Sequence, residues 1–377
     1  MVLRIFGWSF AVTIIALIVA AIYGGPQAVM LVVILSILEI SLSFDNAVIN
    51  ATVLRRMSEF WQKIFLTVGI VIAVFGMRLV FPLVIVWLAS GLGPVAALDL
   101  ALNPPADGAA YFPDGSASYE TLLTDAHPQI AAFGGMFLLM LFLGFILEER
   151  EITWLSWLEK PLARIGKLDQ LEVVIAGALL LITAAYIAPD DTISTVMIAG
   201  VLGMITYIAV NGLGELFNTE EGDEDSETTT SSGPTQLAKA TGKAGFFLFL
   251  YLEVLDASFS FDGVIGAFAI TSDPIIIALG LGFVGAMFVR SITVFLVRKG
   301  TLSDYVYLEH GAHWAIGALA VILLVSIGYH VNENITGLVG VALIGAAFIS
   351  SIIRNRRNPE PIAVDDHDDQ AESVPVG

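Results

Sequence analysis

The sequence predicts an all-α integral membrane protein, with about ten transmembrane helices arranged as two inverted five-helix halves. Three observations carry that prediction. Hydrophobic residues make up 56% of the 377 and charged residues 14%, against roughly 25% charged in soluble domains, and the mean hydropathy is +0.83. The apolar residues fall in continuous runs of about 18 or more, the length that crosses a hydrocarbon core of roughly 30 Å. Alternating segments of about ten residues, as in a membrane β-barrel, do not fit such runs. Finally, apart from Arg78 and Arg290, the basic residues lie on alternate sides of the runs, and one acidic motif recurs in two runs that this alternation orients oppositely.

The runs lie near residues 6–23, 28–54, 64–90, 129–147, 171–188, 192–213, 245–271, 275–297, 312–330 and 335–353. The first follows Arg4 and shows no clear small-x-small cleavage site before Gly24 and Gly25, so it reads as a helix rather than a signal peptide. Arg55, Arg56 and Lys63 follow the second run, and Arg150, Lys160, Arg164 and Lys167 the fourth. Lys239 and Lys243 follow the sixth, Arg298 and Lys299 the eighth, and Arg354, Arg356 and Arg357 the tenth. The intervening loops carry no Lys or Arg, and only Arg78 and Arg290 fall inside runs. Because Lys and Arg favour cytoplasmic loops, the chain is expected to cross the cell membrane many times with both termini in the cytoplasm.

This divides the chain into a first membrane half, 1–214, with a motif helix at 28–54 and an outer loop at 91–128, and a second half, 244–354, with its motif helix at 245–271. Between them lies 215–243, which includes TEEGDEDSETTTSSGPT; after them comes the tail 355–377. Both are acidic and poor in hydrophobic residues, so they are expected to be disordered and cytoplasmic. The formal net charge of −19 fits acidic loops in a high-salt cytoplasm better than a cation funnel. The expected partners are the lipid bilayer and a metal ion, not nucleic acid. With no cysteine in the chain, disulfides and thiolate metal sites are excluded.

The second run contains LEISLSFDNAVI, residues 38–49, and the seventh contains DASFSFDGVI, residues 256–265. Setting Asp45 over Asp262 places Glu39 over Asp256, each acid leading into S-x-S-F-D, and an arginine follows on the next run in both cases, Arg78 and Arg290. On the charge rule the two copies run in opposite directions. Inverted repeats that meet near the bilayer midplane are a recurrent construction of secondary transporters. On a regular helix Glu39 and Asp45 would point roughly 120° apart, and the serines compete for backbone hydrogen bonds, so local unwinding at S-F-D is expected.

Five carboxylates, Glu39, Asp45, Glu253, Asp256 and Asp262, thus lie in predicted spans against two arginines. Each would cost on the order of 2.5–3.5 kcal/mol at a helix centre if unpaired, and the arginines cannot balance all five. A divalent cation fits the excess. Carboxylates, the amide oxygen of Asn46 and the hydroxyls of Ser43 and Ser260 are hard ligands suited to Mg²⁺, Ca²⁺ or Mn²⁺. His310 and His313, one turn apart at a predicted boundary, read as solvated interfacial histidines, and Trp154 and Trp157 as part of an aromatic belt.

These motifs resemble the TerC family, integral membrane proteins of the tellurium-resistance type within the lysine-exporter superfamily. LEVLDASFSFDGVIGAFAITSDPIII, residues 252–277, looks like that family's E-x-x-D…F-x-x-D…I-x-A-I-x-T-x-D-P signature, and LEISLSFDNAVI like its first-half E-x-x-x-S-x-D-N motif. The likeness covers 28–90 and 245–330 and is weak elsewhere, as in a divergent branch. It implies export of divalent metal cations, Mn²⁺ first, with Glu39, Asp45, Asn46, Glu253, Asp256 and Asp262 at the ion and Ser43, Ser260, Arg78 and Arg290 in support. Gly263 stands where the family commonly has serine. Tellurite is an anion, which such a cluster would repel.

The expectation is therefore a secondary transporter, not an enzyme, with no cofactor and the metal as substrate. No nucleotide-binding motif is present, so an ion gradient would drive it. The rivals are a membrane assembly or interaction protein without transport activity, and an intramembrane aspartyl protease using Asp45 and Asp262 as a dyad. The protease reading lacks the G-x-G-D context and leaves three carboxylates without a role.

Overall fold

The computed structural model describes residues 2–69, 71–105, 109–224, 242–271, 273–298, 305–331 and 333–357. Regular structure among them is helical, beside an isolated antiparallel bridge between Tyr111 and Ala117. Six of the described helices are long and apolar enough to cross a membrane: Ile5–Ile40, His127–Ile146, Ile193–Gly212, Pro274–Val297, Leu308–Ser326 and Leu338–Arg357. They are the helices of a membrane protein.

Helix α1 (Val2–Leu42) is one helical run with a break at Gly24 and Gly25, where Gly25 takes φ 66 and ψ −154. A side chain would be strained there, and Pro26 then opens the next turn with its φ already set and no N–H to lose. The break coincides with the gap between the first two apolar runs. Helix α2 (Phe44–Leu54) follows across Ser43, whose φ of −97 and ψ of 12 leave the helical region. The irregularity is confined to that residue, because Ser43 N still donates to the Glu39 carbonyl at 2.9 Å and Ala47 N to the Ser43 carbonyl at 3.1 Å. In the second motif copy the expected unwinding does not occur: α11 (Gly242–Ile270) is unbroken. There the Ser258 hydroxyl donates to the Val254 carbonyl one turn back at 3.0 Å, which satisfies it without taking a backbone N–H from the ladder.

The third apolar run is built from α3 (Glu59–Ile64), two π-helical segments, π1 (Phe65–Gly69) and π2 (Ile72–Val80), and α4 (Phe81–Ser90). The predicted outer loop folds back over its end as α5 (Pro94–Leu102) and α6 (Tyr119–Asp125). Tyr119, Leu123 and Ala97 are buried there in one cluster with Val86, Ala20 and Leu281. The Ser118 hydroxyl caps α6 by accepting from Thr121 N at 3.1 Å.

Helices α7 (His127–Ile146), α8 (Ser156–Ile165), α9 (Leu171–Tyr186) and α10 (Ile193–Glu224) complete the first half. Helix α10 runs on into the segment predicted to be a disordered linker; residues 225–241 of that segment, and the tail from 358, lie outside the described residues. After α11 come α12 (Pro274–Ile277), a third π-helical segment, π3 (Ala278–Gly285), α13 (Ala286–Arg298), α14 (Leu308–Ser326) and α15 (Glu333–Arg357). The main core gathers on α7, whose Met136, Phe137, Leu138 and Met140 are fully enclosed between α10 and α14. The motif helices pack crosswise: α1 lies against π3 of the second half, and α11 against π2 of the first.

Candidate ion site

Glu39 stands near the end of α1, one turn before the irregular Ser43, whose hydroxyl donates to Glu39 Oε1 at 2.6 Å. Arg78, carried on π2, forms an ion pair with the same carboxylate. Its Nη1 also lies 4.0 Å from Asp256 Oδ2 on α11. Asp256 in turn accepts from Asn46 Nδ2 of α2 at 2.5 Å. Glu39 is 1% exposed, Arg78 3%, Asp256 5% and Asn46 0%. Two acids from opposite halves of the chain are thus joined through one arginine in a site closed to solvent. Removing one partner of such a buried pair leaves an uncompensated charge, at a cost of about 3–5 kcal/mol.

Glu253, one turn before Asp256 on α11, is also buried, and neither of its oxygens has a hydrogen-bond partner among the described residues. It borders a cavity of about 30 Å³ together with Asn50, Gly69, Arg78, Asp256 and Arg290. A single water needs on the order of 10–15 Å³ by this measure, so the space suits one or two small species. Arg290 donates from Nε to the Leu66 carbonyl of π1 at 3.1 Å, tying the second arginine to the first half.

Glycines let the acids in. A Cβ on Gly285 would stand 2.1 Å from Glu39 Cγ, and one on Gly69 would stand 2.8 Å from Glu253 Oε1. Each glycine is the last residue of a π-helical segment, and each faces an acid of the other half. Gly263 is a third close neighbour, its Cβ position being 3.0 Å from Glu39 Oε2.

Of the predicted site residues, the structure brings Glu39, Asn46, Arg78 and Asp256 together and sets Glu253 and Arg290 on the adjoining cavity. Ser43 serves as a donor to Glu39. The side chains of Asp45, Ser260 and Asp262 lie outside the described residues. Among the described residues no three carboxylate or imidazole groups gather closely enough to hold one ion, and Arg78 stands between Glu39 and Asp256. Asn50, Gly69 and Gly285 escaped the sequence reading. Asn50 had a signal, because it follows Asn46 by one helical turn and so shares its face.

The histidines correct an expectation. His310 and His313 are both buried: Glu159 of α8 brings its Oε2 to 3.1 Å from His310 Nδ1, and His313 stacks on Phe145 of α7 with ring centroids 3.6 Å apart.

No curated protein and no solved structure matches the chain. The family described as "Protein of unknown function (DUF475)" matches residues 44–358, a span that holds Asp45, the second S-F-D copy, both arginines and α2 through α15, while Glu39 and Ser43 precede it. With most of its length covered, the chain belongs to the DUF475 family.

Proposed function

We propose that this protein is a secondary transporter for a hard divalent cation, Mn²⁺ first, which it exports through the carboxylate site between its two halves. The observation that carries this reading is the convergence of Glu39 and Asp256 on Arg78, beside a buried Glu253 whose oxygens have no hydrogen-bond partner among the described residues. A buried carboxylate without a partner requires a proton or a cation, and oxygen-only ligands select hard ions. The crosswise packing of each motif helix on the π-bearing helix of the other half supports an inverted arrangement, and the apolar runs with basic residues on alternate sides support ten spans with both termini in the cytoplasm. The TerC-like motifs point the same way.

In this mechanism Arg78 is a tethered counter-ion. It holds Glu39 and Asp256 when no metal is bound, and an arriving cation takes the two carboxylates as the arginine withdraws. Asp45 and Asp262, the equivalent acids of the two motifs, complete the ligand set, and Arg290 plays the reciprocal part to Arg78. The test is Mn²⁺ flux by the purified protein in liposomes under an imposed ion gradient. Wild type is expected to move Mn²⁺, whereas Asp256→Asn and Asp45→Asn should lower flux at least tenfold while still inserting. Flux unchanged in both variants would remove the site, and none in wild type would remove the transport reading.

A further inference from the structure

Segment 148–170 joins α7 to α9, and nothing in the ion-site reading uses it. Its helix α8 has ten residues, about 15 Å of length, half of what a bilayer core requires. Trp157 is 76% exposed, and Ile165 and Leu168 are exposed with it. Trp157, Pro161 and Ile165 recur every fourth residue along α8 as one apolar stripe, and Leu168 stands exposed just past the end of the helix. The opposite side is pinned to the bundle by Glu159. That buried carboxylate accepts from Trp154 N at 3.0 Å, Leu155 N at 3.2 Å and Trp314 Nε1 at 3.1 Å, and it faces His310. A short amphipathic helix with an exposed Trp and basic flanks lies in the membrane interface.

Beneath α8 is a pocket of about 230 Å³, lined by residues that include Phe145, Arg150, Lys160, Arg164 and His310. Its acids are all engaged: Glu148 pairs with Arg150 at 2.6 Å, Glu149 with Lys167 at 3.1 Å, and Glu159 with the donors above. Lys160 and Arg164, one turn apart beside the apolar stripe, have no ion-pair partner among the described residues. The pocket therefore offers two uncommitted cations next to an exposed apolar surface.

We propose that this pocket binds the phosphate headgroup of an anionic phospholipid, with Lys160 and Arg164 as its charge ligands and the Trp157–Pro161–Ile165 stripe against the lipid chains. The assignment is independent of what the ion site carries. The test uses the full-length protein in bilayer nanodiscs of phosphatidylcholine doped with a photo-crosslinkable phosphatidylglycerol, the adduct being located by peptide mass spectrometry. Adducts are expected on 148–170. Each basic residue near an anionic surface is worth about 1 kcal/mol, so the double variant Lys160→Gln/Arg164→Gln should lose roughly thirtyfold in capture. The charge-keeping swap Lys160→Arg/Arg164→Lys should retain capture, which separates the effect from misfolding. Equal capture of a photo-crosslinkable phosphatidylcholine would overturn the proposal, as would adducts confined to other segments. Inorganic phosphate in detergent supplies the remaining arm: if it binds here while the lipid is not captured, the site belongs to free phosphate and the lipid assignment fails.

Discussion

At the scale of single residues, the proposed ion site depends as much on missing side chains as on charged ones. Gly285 leaves no room for a methyl group, since its Cβ would sit 2.1 Å from Glu39 Cγ. Gly285→Ala should therefore push Glu39 off Arg78 or part the two helices, at a cost of about 1–3 kcal/mol for overpacking. Thermal unfolding in detergent should show that loss, and Mn²⁺ flux should fall at least tenfold. Gly263→Ser is the contrasting case. Its Cβ would lie 3.0 Å from Glu39 Oε2, a contact relieved by a few tenths of an ångström, so stability should stay close to wild type and flux within a few-fold. Equal behaviour of the two variants would show that Glu39 is not held by π3. The acids and arginines were legible in the sequence because charge in hydrocarbon demands a reason. Gly69 and Gly285 were not, because glycine is common in membrane helices and the chain has 35 of them.

At the scale of elements, the apolar runs located the long helices, and the Gly24–Gly25 gap marked the break in α1. The π-helical segments had no such signature. One extra residue per turn leaves hydropathy unchanged, and the glycine contacts that accompany π1 and π3 come from the other half of the chain. Nor did periodicity show that α8 would meet His310 and Trp314, since the contact joins residues as distant as Glu159 and Trp314. That contact is testable. Glu159→Ala strips the acceptor from two backbone N–H groups and from Trp314 Nε1, and each donor left unpaired costs about 1–3 kcal/mol. Hydrogen exchange across residues 152–166 should rise by an order of magnitude or more. Glu159→Gln, which keeps an amide oxygen, should give a smaller rise. Indistinguishable exchange in wild type and Glu159→Ala would mean that α8 is held by its apolar face instead.

At the scale of the whole molecule, the contacts of Gly285 with Glu39 and of Gly69 with Glu253 join opposite halves, but they are not copies of one another, since the motif alignment sets Glu39 over Asp256 and Glu253 over Ser36. What an inversion of the halves accounts for is that each motif helix meets the π-bearing helix of its counterpart. The same inversion requires that residues 91–128 and 148–170 lie on opposite faces of the bilayer, because an odd number of spans separates them. The chain has no cysteine, so a single introduced thiol reports its side without background. Asp114→Cys lies in the predicted outer loop, and Lys160→Cys on the basic surface of α8. In intact cells a membrane-impermeant maleimide should label Asp114→Cys, and it should reach Lys160→Cys only after permeabilisation. Labelling of both from one side would break the charge alternation. The halves would then no longer run in opposite directions, and the crosswise packing of each motif helix on the other half's π-bearing helix would need an explanation other than symmetry.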